Sequence, residues 1–283
     1  MDLVELRIFK TVAEQGGITK AAAALHRVQS NVTTRVKQLE ERLGTRLFNR
    51  QGRRLVLSAE GKLLLGYADR LLRLASEAQA ALKGRAPQGV LKLGALESTA
   101  ATRLPALLAR YHRAHPAVRL ELVTGTSSAL VDRVLREELE AALVAEPFAE
   151  AGLQARHVFT EELVLITPKD HAPVHSPRDI QSRTILAFAT GCSYRRRLES
   201  WLARDNAAAE RVMEYGSYHA IVACAAAGGG IAVVPRSVLR ATGMQTQVTT
   251  HRLPARIARA KTMLVWRRDH RSSALDALKS ALS

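Results

Sequence analysis

The chain has 283 residues, 47% of them hydrophobic and 24% charged, with 42 Lys and Arg against 26 Asp and Glu for a net charge of +16. That length accommodates one large or two ordinary domains, and the composition excludes a disordered or fibrous chain. Two cysteines, Cys192 and Cys224, exclude a disulfide framework and a cysteine-rich zinc site. The apolar stretch from Ala220 to Pro235 is interrupted by Gly228, Gly229 and Gly230, too short to span a membrane. With no signal-peptide core at the start, a cytoplasmic protein without a membrane partner is expected.

The positive charge gathers at one end. Residues 1–88 hold 16 basic and 8 acidic side chains, and the remaining 195 residues hold 26 and 18. The N-terminal third is therefore about twice as positive per residue, and a polyanion such as nucleic acid is its first candidate partner. There, Leu3, Leu6, Phe9, Val12 and Ala13 recur at helical spacing and predict a helix over 2–15, stopped by Gly16 and Gly17. Thr19 is placed to cap a short alanine-rich helix, ITKAAAALH. After a connection at His26, Arg27 and Val28, a third helix is predicted from about Gln29 to Leu43. Val32, Val36, Leu39 and Leu43 lie on its inner face and Gly44 at its end. Two short helices joined by a tight turn are a helix-turn-helix pattern.

Two short apolar segments around Gln51-Gly52 predict a hairpin, or wing. Ser58 then caps a helix of roughly 25 residues ending near Gly84, on which Leu64, Tyr67, Leu71, Leu74, Ala78 and Ala81 form a seam spaced by three and four. Such a seam serves either to pair two chains or to pack the helix on its own domain. Pro87, Gln88 and Gly89 read as a linker. Beyond it VLKLGAL, VRLELV, EAALVA, ELVLIT, TILAF, IAVVP and MLVW read as buried strands. Helical stretches separate most of them, which predicts an α/β domain with mostly parallel sheets.

The segment AEQGGITKAAAALHRVQSNVTTRVKQLEERLGTRLFNR closely resembles the N-terminal domain of LysR-type transcriptional regulators. The match is carried by the alanine-rich second helix, Gln29, Leu39-Glu40, Leu43-Gly44, Leu47-Phe48 and Arg50. Ser58 and Gly61 resemble the Thr-x-x-Gly that opens the family's linker helix. LEAALVAEP and GGGIAVVPRSVL extend a weaker resemblance across residues 90–283. The resemblance implies a winged helix-turn-helix over 1–58 and a dimerising linker helix over 59–86. It further implies an effector domain over 87–283 resembling periplasmic solute-binding proteins, with subdomain I at 90–160 plus 263–283 and subdomain II at 161–262. It also implies a homodimer or homotetramer on a double-stranded operator, with RNA polymerase as a further candidate partner. At the start of the recognition helix the family often has Pro, Ala and a later Ser-Arg pair. Here Ser30, Asn31, Thr33 and Thr34 stand instead, followed by Arg35, so operator sequences do not carry over.

Gln29, Ser30, Asn31, Thr33 and Thr34 are short polar side chains suited to base edges in a major groove, with helix capping or solvation as the plainer alternative. Thr19, Lys20, Arg27, Arg35 and Lys37 are candidates for phosphate contact, and Arg50, Arg53 and Arg54, flanking the hairpin turn, for phosphate or the minor groove. In the effector domain, ligands of open α/β folds bind at the carboxyl ends of strands, and helix N-termini favour polar or anionic groups. Ser98 and Thr99, Thr126 and Ser127, Cys192, Ser193 and Tyr194, and Ser217 and Tyr218 meet that rule, and simple helix capping competes with ligand contact for each. For Cys192 three roles compete: a polar cleft wall, a thiol sensor activated by a helix N-terminus and Arg195, Arg196 and Arg197, or a small buried residue. His-Glu-x-x-His, Gly-x-x-x-x-Gly-Lys and Gly-x-Ser-x-Gly motifs are lacking, so no enzyme, metal site or cofactor is expected.

Overall fold

The computed structural model describes residues 1–51, 54–83, 86–180, 183–205 and 207–282, and the chain divides into two compact units, Met1–Arg85 and Ala86–Ser283.

In the first unit, α1 (Leu3–Gln15) opens with a capping box in which Asp2 and Glu5 satisfy each other's backbone N–H groups, and it ends on Gly16 in the left-handed conformation. α2 (Ile18–Ala24) follows Gly17, and no side chain caps it. Thr19 is thus inside the helix, not at its cap, because the helix begins one residue earlier than its hydroxyl could serve. α3 (Gln29–Leu43) starts after Val28 and stops at Gly44. Its Val32, Val36 and Leu39 are buried with Leu6, Phe9, Val12 and Leu47, whereas Leu43 is 41% exposed. One turn past Leu39, the helix has run beyond the edge of this small core.

Strands β1 (Phe48–Gln51) and β2 (Arg54–Leu57) pair antiparallel, with Phe48 opposite Leu57. Glu40 fixes their approach: its Oε1 accepts the N–H groups of Leu47 at 2.7 Å and Phe48 at 3.3 Å. Ser58 donates to the Arg46 carbonyl at 2.8 Å and accepts the Gly61 N–H at 2.9 Å, so it caps α4 (Ala59–Lys83) as its position suggests. Gly61 has no alternative here, since a Cβ would overlap the Leu47 carbonyl. The expected helix end at Gly84 lies outside the described residues.

In the second unit the strands are β3 (Gly89–Ala95), β4 (Val118–Thr124), β5 (Ala141–Ala145), β6 (Leu153–Thr167), β7 (Thr184–Ala187), β8 (Arg211–Glu214), β9 (Ala232–Pro235), β10 (Thr249–Arg252) and β11 (Arg259–Arg267). The helices are α5 (Glu97–Thr102), α6 (Leu104–Ala114), α7 (Ser127–Leu135), α8 (Ser193–Leu202), α9 (Tyr218–Ala226), α10 (Arg236–Thr242), α11 (Ala255–Ala258) and α12 (Ser273–Ala281). The main sheet runs β10-β6-β11-β5-β3-β4, with β9 also on β6, and β7 pairs with β8 separately.

The pairing is mixed rather than mostly parallel. β3 is parallel to β4 and β5, and β7 to β8, but β11 is antiparallel to β5 and β6, and β6 to β9 and β10. Apolar runs mark a strand as covered without fixing its direction, which is why the expectation erred. β6 is the longest strand: residues up to Glu162 pair with β11, and Leu163 to Thr167 pair with β9 and β10. β11 shifts register between Thr262 and Met263. The two crossing points expected from the sequence, 160/161 and 262/263, fall within these strands. One apolar core gathers Leu91, Leu93, Leu104, Tyr111, Leu264 and Leu275 on the β3 side. A larger one on the β9 side holds Leu165, Ile185, Trp201, Ile221 and Val234 and reaches across to Leu96 and Ala145.

Candidate functional site

The first unit presents the N-terminal half of α3. With Val32, Val36 and Leu39 turned inward, helical geometry turns Ser30, Thr34 and Lys37 outward, and all three are exposed, as are Gln29 and Asn31. Val28 occupies the position before the helix, so Ser30 is not a cap residue. Thr33 is half-buried and its hydroxyl donates to the Gln29 carbonyl at 2.9 Å. Arg35 reaches the buried Glu5 carboxylate at 3.8 Å, and Arg42 also pairs with Glu5. The Arg42 guanidinium, helped by the Asp2 backbone N–H, holds the Glu5 carboxyl below its ordinary range against burial. Part of the charge on Arg35 is therefore balanced inside the domain. Thr19, Lys20, Arg27 and Lys37 are exposed. Exposed Gln38 sits on the outer face beside Asn31 and Thr34; its i+4 relation to Thr34 was the available signal, and sequence reasoning passed over it. Arg53 and the side chains of Arg50 and Arg54 lie outside the described residues.

In the second unit a cleft of about 280 Å³, open solvent included, lies where α5, α7, α8 and α9 begin. Ser98, Thr126, Cys192, Ser193, Tyr194 and Tyr218 line it, together with Leu96, Glu97, Gly125, Ala145 and Phe188. Six of the nine candidate effector residues thus line the cleft, and Thr99 and Ser127, next in sequence to lining residues, are buried. Ser217 instead caps α9, accepting the His219 N–H at 3.2 Å. Thr126 caps α7.

The serines divide in role. Ser127 donates to the Ala145 carbonyl and accepts the Ala145 N–H, both at 3.1 Å. Ser193 donates to the same carbonyl at 2.7 Å and lies 3.1 Å from the Ser127 hydroxyl. These two fully buried hydroxyls tie α7, β5 and α8 together, and little of their capacity remains for a ligand. Ser98, Thr99 and Tyr194 differ. Each is buried, and none of their hydroxyl oxygens has a hydrogen-bond partner; Thr262 shares that condition. Tyr194 faces Ser98 and Thr262, and burial pushes its phenol well above the usual range. The Ser98, Tyr194 and Thr262 hydroxyls thus face one another beside the cleft.

Cys192 does not have the acidity expected of a sensor. Its thiol is pushed up by burial, which outweighs the backbone N–H groups of Arg195 and Tyr194 and the charges of Arg195 and Arg196. Arg195 spends its own charge on Glu199 at 2.8 Å and Glu214 at 2.6 Å. Arg197 donates to the carbonyls of Arg256, Arg259 and Glu146. Sequence reasoning overlooked Phe188; Glu97 belongs to the Glu97-Ser98-Thr99 stretch that the helix-start rule picks out, though it was not itself among the candidate contacts.

Family models match both units: bacterial regulatory helix-turn-helix protein, lysR family, over residues 3–62, and LysR substrate binding domain over residues 84–283. This chain belongs to the LysR family. It is a DNA-binding transcriptional regulator with an effector-binding domain. The LysR-type regulator YusT of Bacillus subtilis, itself uncharacterized, is 42% identical over 95% of this chain and 90% of its own length. GltR of Bacillus subtilis is 37% identical over 95% and 91%. Among solved structures, a full-length OxyR variant from Pseudomonas aeruginosa superposes with a TM-score of 0.71 at 24% identity, covering 100% of this chain and 94% of the other. CbnR in complex with its target DNA gives 0.69 at 22% identity, covering 100% and 99%. At those identities the likeness concerns the fold. No helix among the described residues of this regulator is long and apolar enough to cross a membrane.

Proposed function

We propose that this LysR-type regulator reads its operator with the exposed polar face at the start of α3, and that a small molecule in the cleft between α5, α7, α8 and α9 controls it. The observation that carries the DNA reading is the separation of faces on α3. Val32, Val36 and Leu39 fill the core, so the short polar residues Gln29, Ser30, Asn31 and Thr34 remain free for base edges. Thr19, Lys20, Arg27 and Lys37, joined by Arg35 and the wing arginines Arg50, Arg53 and Arg54, supply phosphate contacts that fix register without reading sequence. Winged helix, linker helix and effector domain divide near residues 58 and 86, and the effector domain into two lobes at 160/161 and 262/263. A dimer forms through the linker helix, and two dimers make a homotetramer.

The test compares a duplex recovered by selection from a random library with random duplex of equal length, at physiological salt. Gln29→Ala and Thr34→Ala are each expected to cost about 1–3 kcal/mol on the selected duplex and little on random DNA. Thr33→Ala is expected to cost less, because its hydroxyl is spent on the Gln29 carbonyl. Equal losses on both duplexes would remove α3 from the reading role.

A further inference from the structure

The charge inventory of the cleft runs against the usual expectation for helix N-termini. Among its lining residues Glu97 is the one ionisable carboxylate, and no Lys, Arg or His lines it. Three nearby guanidiniums are engaged elsewhere, and Arg196 is exposed. Arg103 pairs with Glu161 at 2.7 Å, Arg195 with Glu199 and Glu214, and Arg197 with backbone carbonyls. The start of α9 is served by the chain itself: Ser217 accepts the His219 N–H, and the Tyr218 N–H faces Glu97. An anionic guest would meet the Glu97 carboxylate inside the lining, whereas Arg196 and His219 act from outside it.

Glu97 is half-buried, and its Oε2 is buried without a hydrogen-bond partner. Beside it the rings of Phe188 and Tyr218 lie 4.8 Å apart, tilted at 57°, and ring faces attract cations. The buried hydroxyls of Ser98 and Tyr194, which face each other, complete the wall.

On the reading that this cleft is the effector site, we propose that its ligand is a small organic cation carrying N–H donors, an amine or amidine, held by Glu97 against Phe188 and Tyr218 with Ser98 and Tyr194 taking its further polar group. The orphaned Glu97 oxygen accepts the donor, and the ammonium replaces the solvation that burial removed. Burial pushes the Glu97 carboxyl above its ordinary range, despite the Tyr218 N–H and nearby His219, and a bound cation would lower it again.

Three probes of matched size separate the possibilities on the full-length protein: benzylamine, benzyl alcohol and benzoate, followed by thermal shift and calorimetric titration at neutral pH. Benzylamine is expected to raise the melting temperature saturably and to bind more tightly than the alcohol, and benzoate to have no effect. Glu97→Gln preserves shape and is expected to weaken benzylamine by about tenfold or more. Glu97→Lys is expected to exchange the preference, taking benzoate over benzylamine. Both variants are checked for an intact cooperative melt. Saturable binding of benzoate rather than benzylamine to the unmodified protein would overturn the charge assignment and leave the cleft as a ligand site. No binding of any of the three would overturn the charge assignment and the cleft reading together.

Discussion

His251 shows how a single buried ring couples this regulator to pH. Its Nδ1 accepts the Val174 N–H at 3.1 Å, which leaves the proton on Nε2, 2.8 Å from the Thr167 hydroxyl. A second proton has no acceptor at Nδ1. Burial lowers the affinity of the ring for it, and the neighbouring His171 and His175 lower it further. The sign follows from linkage. The unfolded chain takes up this proton near the ordinary histidine value, whereas the folded chain does so only at lower pH. Stability from His251 is therefore full above that value and is lost as pH falls through it. The melting temperature of the effector unit is expected to drop between pH 7.5 and 5.5, and His251→Gln to show a shallower drop. Equal slopes for the two proteins would remove His251 as the source. Roles like this one were not legible in the sequence, because they depend on partners more than seventy positions away. Of the three roles open to Cys192 the thiol sensor is disfavoured for the same reason, while the residue does line the cleft. Its place before α8 was read correctly, but the burial that outweighs the helix N-terminus is a property of Phe188, Tyr194 and Tyr218 closing around it.

Helix α4 carries an exposed apolar stripe. Leu63 is 65% exposed, Tyr67 51%, Leu71 39% and Leu74 62%, while Ala68 on the opposite face is fully buried. Burying such leucines in a partner helix gains roughly 1.5–3 kcal/mol each. The double variant Leu71→Glu, Leu74→Glu is expected to sediment as a smaller species and to lose operator affinity, since a lone half-site meets the full cost of binding. An unchanged assembly would show that this stripe is not the pairing surface. The seam itself was legible because it repeats every three or four residues. Of its members, Leu64 faces inward to the DNA-binding core and Tyr67, Leu71 and Leu74 outward, so one periodicity served two surfaces. β8 and β10 were missed. Arg211–Glu214 and Thr249–Arg252 are edge strands with mostly polar, exposed side chains, and without an apolar run only their partners identify them. The first half of β6 was missed too, for its polar LQARHVFTEE pairs with β11 along a half-exposed face.

Taken whole, the molecule joins a positively charged reader to a sensor whose charge is more nearly balanced by residue count. Phosphate contacts release counterions, so affinity for any duplex is expected to fall steeply and linearly in log–log form as salt rises. Arg27→Ala and Lys37→Ala should each lower that slope by about 1 and weaken selected and random DNA alike. A variant that keeps the wild-type slope makes no phosphate contact. The sequence made the order of the parts plain, because helix-turn-helix spacing and alternating strands are local patterns. It left the floor of the cleft obscure, where Ser127, Ser193 and Ala145 meet from positions far apart. That hydroxyl knot has a consequence for the signal. Breaking it would strand the two hydroxyls and the Ala145 N–H at about 1–3 kcal/mol each, whereas at the outer lip exposed Ser128 reaches the Gly191 carbonyl with its N–H at 3.3 Å and its hydroxyl at 3.4 Å. Gly191 adopts a positive φ there, where a Cβ would press on Thr126 and Ser128. The sensor domain therefore has a cleft base tied by buried hydrogen bonds and an outer lip joined by exposed ones, so parting the lip costs less than parting the base.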